Sequence, residues 1–392
     1  MKKIKNNPVN IANVTQKIIS LRNKLVDVFV GREEEVTAVL AGLFSGEPTI
    51  LVGPPGTAKT ALIEAVSRAV GGRYFYYLLT RFTEPDELLG PLDIKALREG
   101  QYRRITTGRL PEAEIVFLDE VFKASSAVRN ILLDIILNKR YLNGSGYVKL
   151  PMLTLYTASN EVSSDEEDAA FYDRLLIRRF VRYVSSDMWR QLIEAGVRLE
   201  VGDGVKQVLT PDVVRMVQRE VQRRMSAIND VVISKYLSAL MMLREKGVEV
   251  SDRRKVKILK VAAAISIIYM EKEVTLDDVA DALRFCAPFD PDDVKKVEEV
   301  IEESRMSSLS EVVMKWMMLS NELNNALKAL REEQTLQNFQ TAVKVYKRLR
   351  AELLRAPKTP RLLSYVRQIK TQMESARAEL EEIRKKLTSL EI

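Results

Sequence analysis

The chain has 392 residues, 46% of them hydrophobic and 29% charged, with 61 Lys+Arg against 54 Asp+Glu for a net charge of +7. That length exceeds what one hydrophobic core usually supports, so two or three domains are expected, and the composition excludes bulk disorder. There is no histidine and a single cysteine, Cys286, which removes imidazole bases, Ser-His triads, most zinc sites and any internal disulfide.

Catalysis therefore falls to carboxylates, lysine, arginine, hydroxyls or a bound metal. The basic charge permits contact with phosphates, nucleic acid or acidic membranes without choosing among them. The N-terminus, MKKIKNNPVNIANV, lacks the apolar stretch of a signal peptide. The longest apolar run, Val261–Met270, is too short to span a bilayer and reads as a core helix. No membrane span and a cytoplasmic location are the expectation.

Residues 1–48 read as helical, ending at Gly46 and Pro48. TILVGPPGTAKTALIEAVSRAV then runs from a short apolar stretch through a Gly/Pro loop into an amphipathic pattern, which predicts strand, loop and helix. Ile115–Leu118 and Leu153–Thr157 predict two more buried strands, with helical patterns between them. Residues 1–186 thus form an α/β domain with a mainly parallel sheet. From Asp187 the strand signals stop, and 187–295 reads as a small all-helical domain. In 296–392, Leu362, Val366, Ile369, Met373, Ala376, Leu380, Ile383, Leu387 and Leu390 make an a/d heptad seam. Trp316 to Leu330 and Phe339 to Leu353 supply the facing seam, and the prolines of Arg355–Pro360 separate the two. Two long helices folded into an antiparallel, coiled-coil-like hairpin are predicted.

Gly53-Pro54-Pro55-Gly56-Thr57-Ala58-Lys59-Thr60, continuing into Ala61, sits between predicted strand and helix. In a phosphate loop the backbone N–H groups and the helix N-terminus converge on phosphate oxygens. Lys59 would then reach the β/γ-phosphates, and the Thr60 hydroxyl would help hold Mg²⁺. Ala58 departs from the usual glycine before the lysine and adds a Cβ where backbone approaches ligand. The run Ile115–Leu118 delivers Asp119 and Glu120 at a strand's C-terminal end, where open α/β sheets bind ligands. Asp119 suits the Mg²⁺ shell, and Glu120 suits orienting the attacking water. Asn160, after the third strand, is placed to hydrogen-bond a γ-phosphate or that water, or else to form a turn. Phosphoryl transfer depends mainly on positioning and charge neutralisation, so a chain without histidine can perform it.

In this order GPPGTAKT, IVFLDE and TASN resemble the AAA+ ATPases. Ala58, LTRFTEPDELLGPL (79–92), GRLPEAEIVFLDEV (108–121), TASNE (157–161) and FYDRLLIRR (171–179) resemble the MoxR branch and its RavA-like subgroup. The resemblance runs from about Val30 to Phe289 and omits the C-terminal hairpin. It implies an AAA+ core, a helical lid, ATP/ADP and Mg²⁺ as ligands, and a hexameric ring with nucleotide between neighbours. It further implies that 84–108 is an insertion within the second core helix, and that Asn138–Lys149 is a hairpin turning at Asn143–Gly146. The hairpin is also signalled by NGSG between Tyr141 and Val148. Val30-Gly31 would touch adenine, and Arg253, with Arg254 as the adjacent alternative, would be the lid's nucleotide sensor. Arg174 would be a trans arginine finger, Arg178 a second trans contact, and Arg179 structural. The partner implied is a protein with a von Willebrand factor A domain, served by a chaperone-like motor. The alternatives are a nucleic-acid-linked motor, without any winged-helix, zinc or OB-type module to support it, and a nucleotide-stabilised assembly scaffold.

Overall fold

A computed structural model describes residues 11–144, 146–163, 166–202, 204–355 and 360–390. The chain divides into two compact units, 1–304 and 305–392.

In the first unit β1 (Thr49–Val52), β2 (Tyr74–Leu78), β3 (Ile115–Asp119), β6 (Thr154–Ser159) and β7 (Ile177–Phe180) form a five-stranded sheet in the order β2-β3-β6-β1-β7. Every pairing in it is parallel. β1 and β6 are buried along their whole length, as central parallel strands covered by helices on both faces must be. The expected strands at 49, 115 and 153 are present. Two were not legible. β2 reads YFYYL, an aromatic edge strand without alternation. β7 reads IRRF, where Arg178 and Arg179 leave opposite faces of the strand and each finds partners. The antiparallel hairpin β4 (Arg140–Asn143) and β5 (Gly146–Lys149) pairs Tyr141 with Val148, while Ser145 of its predicted turn lies outside the described residues.

Helices α1 (Ile11–Val28), α2 (Glu33–Ser45), α3 (Lys59–Val70), α6 (Ser126–Asn138) and α7 (Glu166–Arg174) belong to the sheet region. The 84–108 segment holds α4 (Pro85–Leu89), α5 (Ile94–Arg98) and a Leu92–Arg104 bridge. Then come α8 (Trp189–Glu200), α9 (Pro211–Ser226), α10 (Asp230–Glu245), α11 (Asp252–Ile268), α12 (Leu276–Cys286) and α13 (Pro291–Glu303), so position 295 falls within a helix. α11 packs on α1, α2, α9 and α12, which joins this helical region to the sheet region.

The second unit differs from the expected pair of helices. It has α14 (Ser308–Glu332), α15 (Leu336–Arg355) and α16 (Leu363–Leu390). The facing seam breaks after Glu332, and the Thr335 hydroxyl accepts from the Asn338 N–H (3.2 Å) to start α15. Trp316, Leu323, Leu330, Leu349, Ile369 and Leu380 share its core. In α15 the buried line is Ala342, Val345 and Leu349, so the expected Phe339, Val343, Tyr346 and Leu353 flank it. Residues 356–359 of the proline break, and the side chains of Leu387 and Leu390, lie outside what is described.

A buried charge cluster ties α11 to the sheet region. The Glu47 carboxylate, buried at the turn before β1, accepts from Lys257 (2.6 Å) and Lys260 (2.7 Å), and those two lysines hold its pKa below the ordinary value against the cost of burial. Beside them the buried ammonium of Lys139, at the root of the hairpin, donates to the Leu153 carbonyl (2.8 Å). Burial pulls Lys139 down to about 8 from 10.5; Glu47 opposes the shift, and Lys260, Lys257 and Lys149 add to it. Between these two values the unfolded chain binds the extra proton, so this group's contribution to stability rises with pH across that window and is constant below it. Denaturant titrations should show wild type gaining on the order of 2 kcal/mol relative to Lys139→Met as pH climbs from 8 to 10.5. Parallel curves for the two proteins would refute this assignment.

Candidate nucleotide site

The carboxyl ends of β1, β3 and β6 are neighbours, and the chemistry-bearing residues follow them. Main-chain bonding continues past β1: Gly53 N–H donates to Ser159 O (3.1 Å) and Val181 N–H to Val52 O (2.6 Å). A Cβ on Gly53 would stand 2.2 Å from the Val181 carbonyl oxygen, so only glycine fits at that crossing. Thr57 donates to Pro54 O (2.9 Å) and closes the loop on itself. Pro55 and Gly56 line its outer turn, and Ala61 lies in the first turn of α3. Ala58 adopts φ +63°, the left-handed region in which the more usual glycine is unstrained. The loop therefore keeps its shape at some conformational cost.

Lys59 and Thr60 open α3. The Lys59 ammonium donates to Gly53 O, to Pro54 O (3.0 Å) and to Asn160 Oδ1 (3.4 Å). Burial pulls its pKa down, and Asp119 and Glu120 act against that pull. Thr60 Oγ1 donates to Asp119 Oδ2 (3.3 Å), which places two hard oxygen donors side by side. Mg²⁺ favours one or two carboxylate or hydroxyl oxygens plus phosphate and water, and this pair fits it. Glu120, at φ +53°, accepts from Asn160 Nδ2 (2.5 Å) and forms an ion pair with Lys123 Nζ (3.3 Å). Two non-glycine residues in the left-handed region at one site mark it as over-determined by its surroundings. Val30 and Gly31 approach the other side, where the Val184 and Met188 side chains lie 3.4–3.6 Å from where a Gly31 Cβ would stand.

Two contacting residues had not been singled out. Lys123, three residues beyond Glu120, could have been suggested by its spacing. Tyr183 donates its hydroxyl to Pro55 O (3.1 Å) across 128 residues, which no local signal marks.

The arginines lie elsewhere. β7 pairs in parallel with β1, Ile177 opposite Thr49, so α7 ends at the amino edge of the sheet. The phosphate loop leaves the carboxyl edge, a strand length of roughly 13 Å away. Arg174, half-buried, donates only to the Ala170 carbonyl of its own helix, and its Nε has no partner. Arg178 requires a correction. Expected as a second trans contact, it sits on a strand and is 2% exposed. Its three nitrogens donate to Leu175 O (3.1 Å), Pro288 O (3.0 Å) and Tyr172 O (2.7 Å), with the guanidinium 4.0 Å from the Tyr172 ring. A group so enclosed is unavailable to a neighbouring molecule. Arg179 pairs with Glu34 and Glu35, a structural role.

Arg254, the alternative to Arg253, is buried, and its guanidinium donates to the carbonyls of Asp173, Leu175, Leu176 and Cys286. Arg253 is exposed between Arg254 and Ser251, whose hydroxyl donates to Asp173 Oδ1 (3.1 Å). The start of α11 therefore lies beside Arg174, on the edge away from the same chain's phosphate loop. Arg253, expected as the lid's nucleotide sensor, lies there with it, away from the phosphate loop of its own chain.

The parallel sheet order, the loop after β1 and the paired carboxylates after β3 define the AAA+ class. A crystal structure of a proposed ATPase from Cytophaga hutchinsonii has the same fold, with a TM-score of 0.61, 16% identity, and coverage of 74% of this chain and 95% of that one. Residues 16–219 match the family described as the MoxR domain in the MoxR-vWA-beta-propeller ternary systems, and the chain belongs to the MoxR family. An uncharacterized protein of Methanocaldococcus jannaschii is 34% identical over 323 residues, 81% of this chain and 82% of the relative. The chaperone MoxR1 of Mycobacterium tuberculosis is 28% identical over 170 residues, 42% of this chain and 44% of the relative.

The two kinds of arginine should separate in stability measurements. Arg178→Ala strands several buried carbonyls and should cost about 3 kcal/mol or more in denaturant melts, whereas Arg174→Ala should stay within about 0.5 kcal/mol of wild type. Ala58→Gly should raise stability by roughly 0.5–1 kcal/mol, since the left-handed strain exceeds the entropy glycine adds to the unfolded chain. A destabilised Ala58→Gly protein would contradict the strain reading.

Proposed function

We propose that this chain is a Mg²⁺-dependent ATP hydrolase that works as a ring of identical subunits, hexameric as in the resemblance noted above. The carrying observation is the division of the site: Lys59, Thr60, Asp119, Glu120 and Asn160 converge at one sheet edge, and Arg174 lies at the other. Two copies arranged head to tail bring the halves together, and one copy alone does not.

In that arrangement the backbone N–H groups after Gly53 and the start of α3 bind phosphate oxygens, and Lys59 turns from the Gly53 and Pro54 carbonyls to the β/γ-phosphates. Thr60 and Asp119 would hold Mg²⁺, which neutralises phosphate charge as the terminal phosphoryl group departs. Glu120 releases one of its two present partners and accepts a hydrogen bond from water, aligning it with the γ-phosphorus. Asn160 steadies that water or the phosphate. Val30, Gly31, Val184 and Met188 flank the base. Arg174 of the neighbour compensates developing charge, and Arg253 beside it is a second trans candidate.

A vWA-domain partner is supported by the matched family's description, and a chaperone-like role by the name of the mycobacterial relative. The RavA-like placement rests on local motifs such as LTRFTEPDELLGPL. We assign partner contact to the insertion and the hairpin. Arg104 N–H donates to Asn143 Oδ1 (2.9 Å), and Ile94, Leu97, Tyr102, Leu142 and Tyr147 are exposed on these two linked elements.

Steady-state ATP hydrolysis should fall by roughly a thousandfold or more in Lys59→Ala, Glu120→Gln and Arg174→Ala, with Arg174→Ala still binding nucleotide. Mixing Arg174→Ala with Lys59→Ala subunits should restore part of the turnover through interfaces that combine the two intact halves. Undiminished hydrolysis in Lys59→Ala and Glu120→Gln would overturn the enzymatic reading, and mixtures as dead as their components would overturn the divided site.

A further inference from the structure

Each of the two sheet edges carries an apolar feature that its own chain leaves uncovered. At the phosphate-loop edge, residues 181–188 leave β7 past Pro55 and Gly31 and lead directly into α8. Trp189, Ile193, Val197 and Val201 follow one another at intervals of four, 57, 66, 58 and 77% exposed. That spacing aligns the first three in one row along α8, with Val201 following at its C-cap. The helix presents Ala195 inward and packs on α1, so the row points outward. Single exposed apolar residues are ordinary on a surface, but a row of three large ones continued by a fourth marks an interaction face.

At the arginine edge a groove of about 560 Å³ runs between α10 and the start of α11. Leu237, Leu240, Met241, Val248 and Val250 line it, and Ser251 at its end holds Asp173, next to Arg174. Leu237 and Met241 are 49 and 66% exposed. Nearby charges on both surfaces are satisfied within the chain, Arg190 by Glu194 (3.1 Å) and Asp252 by Lys255 (2.8 Å). Among the described residues Arg198 and Glu200, beside the α8 row, and Arg244 and Glu249, on the groove, have no side-chain hydrogen bond or ion pair. Each surface thus offers one charge of either sign.

We propose that the α8 row of one copy seats in the α10–α11 groove of the next, with Arg198 facing Glu249. The contact is heterologous, so it propagates in one direction around a ring and presents Arg174 to the neighbour's phosphate loop. This inference rests on reading Arg174 as a trans residue, and it names what holds the two halves in register. Burying the row supplies the association energy that a single arginine–phosphate contact could not, and the Arg198–Glu249 pairing partners two charges that the single chain leaves open.

The chain's single thiol makes the contact directly testable. Cys286 is buried, and burial pushes its pKa up to about 12, so it stays silent toward oxidants. Full-length Val197→Cys and Met241→Cys proteins would be mixed as monomers, given a non-hydrolysable ATP analogue and oxidised mildly. The expected product is a disulfide heterodimer in the mixture and no dimer from either protein alone. Ile193→Glu should bind the analogue as tightly as wild type, yet need more than about a hundredfold higher concentration to assemble by sedimentation velocity. If wild type assembles but the mixture yields no heterodimer, if Val197→Cys links to itself, or if Ile193→Glu assembles normally, this contact is wrong and the divided site stands. If wild type stays monomeric with the analogue, the ring reading fails and the contact with it.

Discussion

Two buried guanidinium groups hold together everything this protein needs to align. Arg178 and Arg254 donate to the carbonyls of Tyr172, Asp173, Leu175, Leu176, Cys286 and Pro288. These carbonyls belong to the end of α7, the approach to β7 and the segment after α12. One pair of side chains thus clamps the sheet's amino edge to the helical region. Burial disfavours both charges, and the convergence of carbonyl dipoles and the Tyr172 ring compensates them. The clamp fixes Arg174 and the start of α11 side by side.

At the opposite edge the constraint is backbone strain. Ala58 and Glu120 both take left-handed conformations that L-residues avoid, and both flank the groups that would touch phosphate and water. They are held there by strand registry, by Gly53 fitting under the Val181 carbonyl, and by the hydrogen bonds of Lys59 and Asn160. These constraints preorganise the phosphate-loop edge within one chain. Glu47 and its lysines add a third tie, between the helical region and the strand that leads into the phosphate loop.

Much of the carboxyl edge was legible because its signals are local. A loop needing φ freedom must show glycine and proline, and a buried strand must show an apolar run before its carboxylates. The arginine stretch was harder. FYDRLLIRRF contains a helix end, a turn and a strand within ten residues, and arginine in a buried strand carries no β signal of its own. The three arginines look alike in sequence, yet one is half-exposed, one is sealed under carbonyls and rings, and one pairs with α2 acids. The C-terminal seams were visible as periodicity, but the three-residue break at 333–335 that turns one long helix into two was not, because polar residues suit both a helix face and a turn.

By itself the sequence determined the α/β class, the phosphate loop, the paired carboxylates after β3, the Asn160 position and the absence of imidazole chemistry and of any internal disulfide. All of these depend on residue types within a few positions of one another. The tertiary structure alone decided that β7 is a strand, that Arg178 and Arg254 face inward, and that Arg174 and Arg253 share an edge away from their own phosphate loop. Those outcomes depend on which carbonyls and acids arrive from 30 to more than 100 residues away. Local propensity does not encode such meetings, and only the packed chain resolves them.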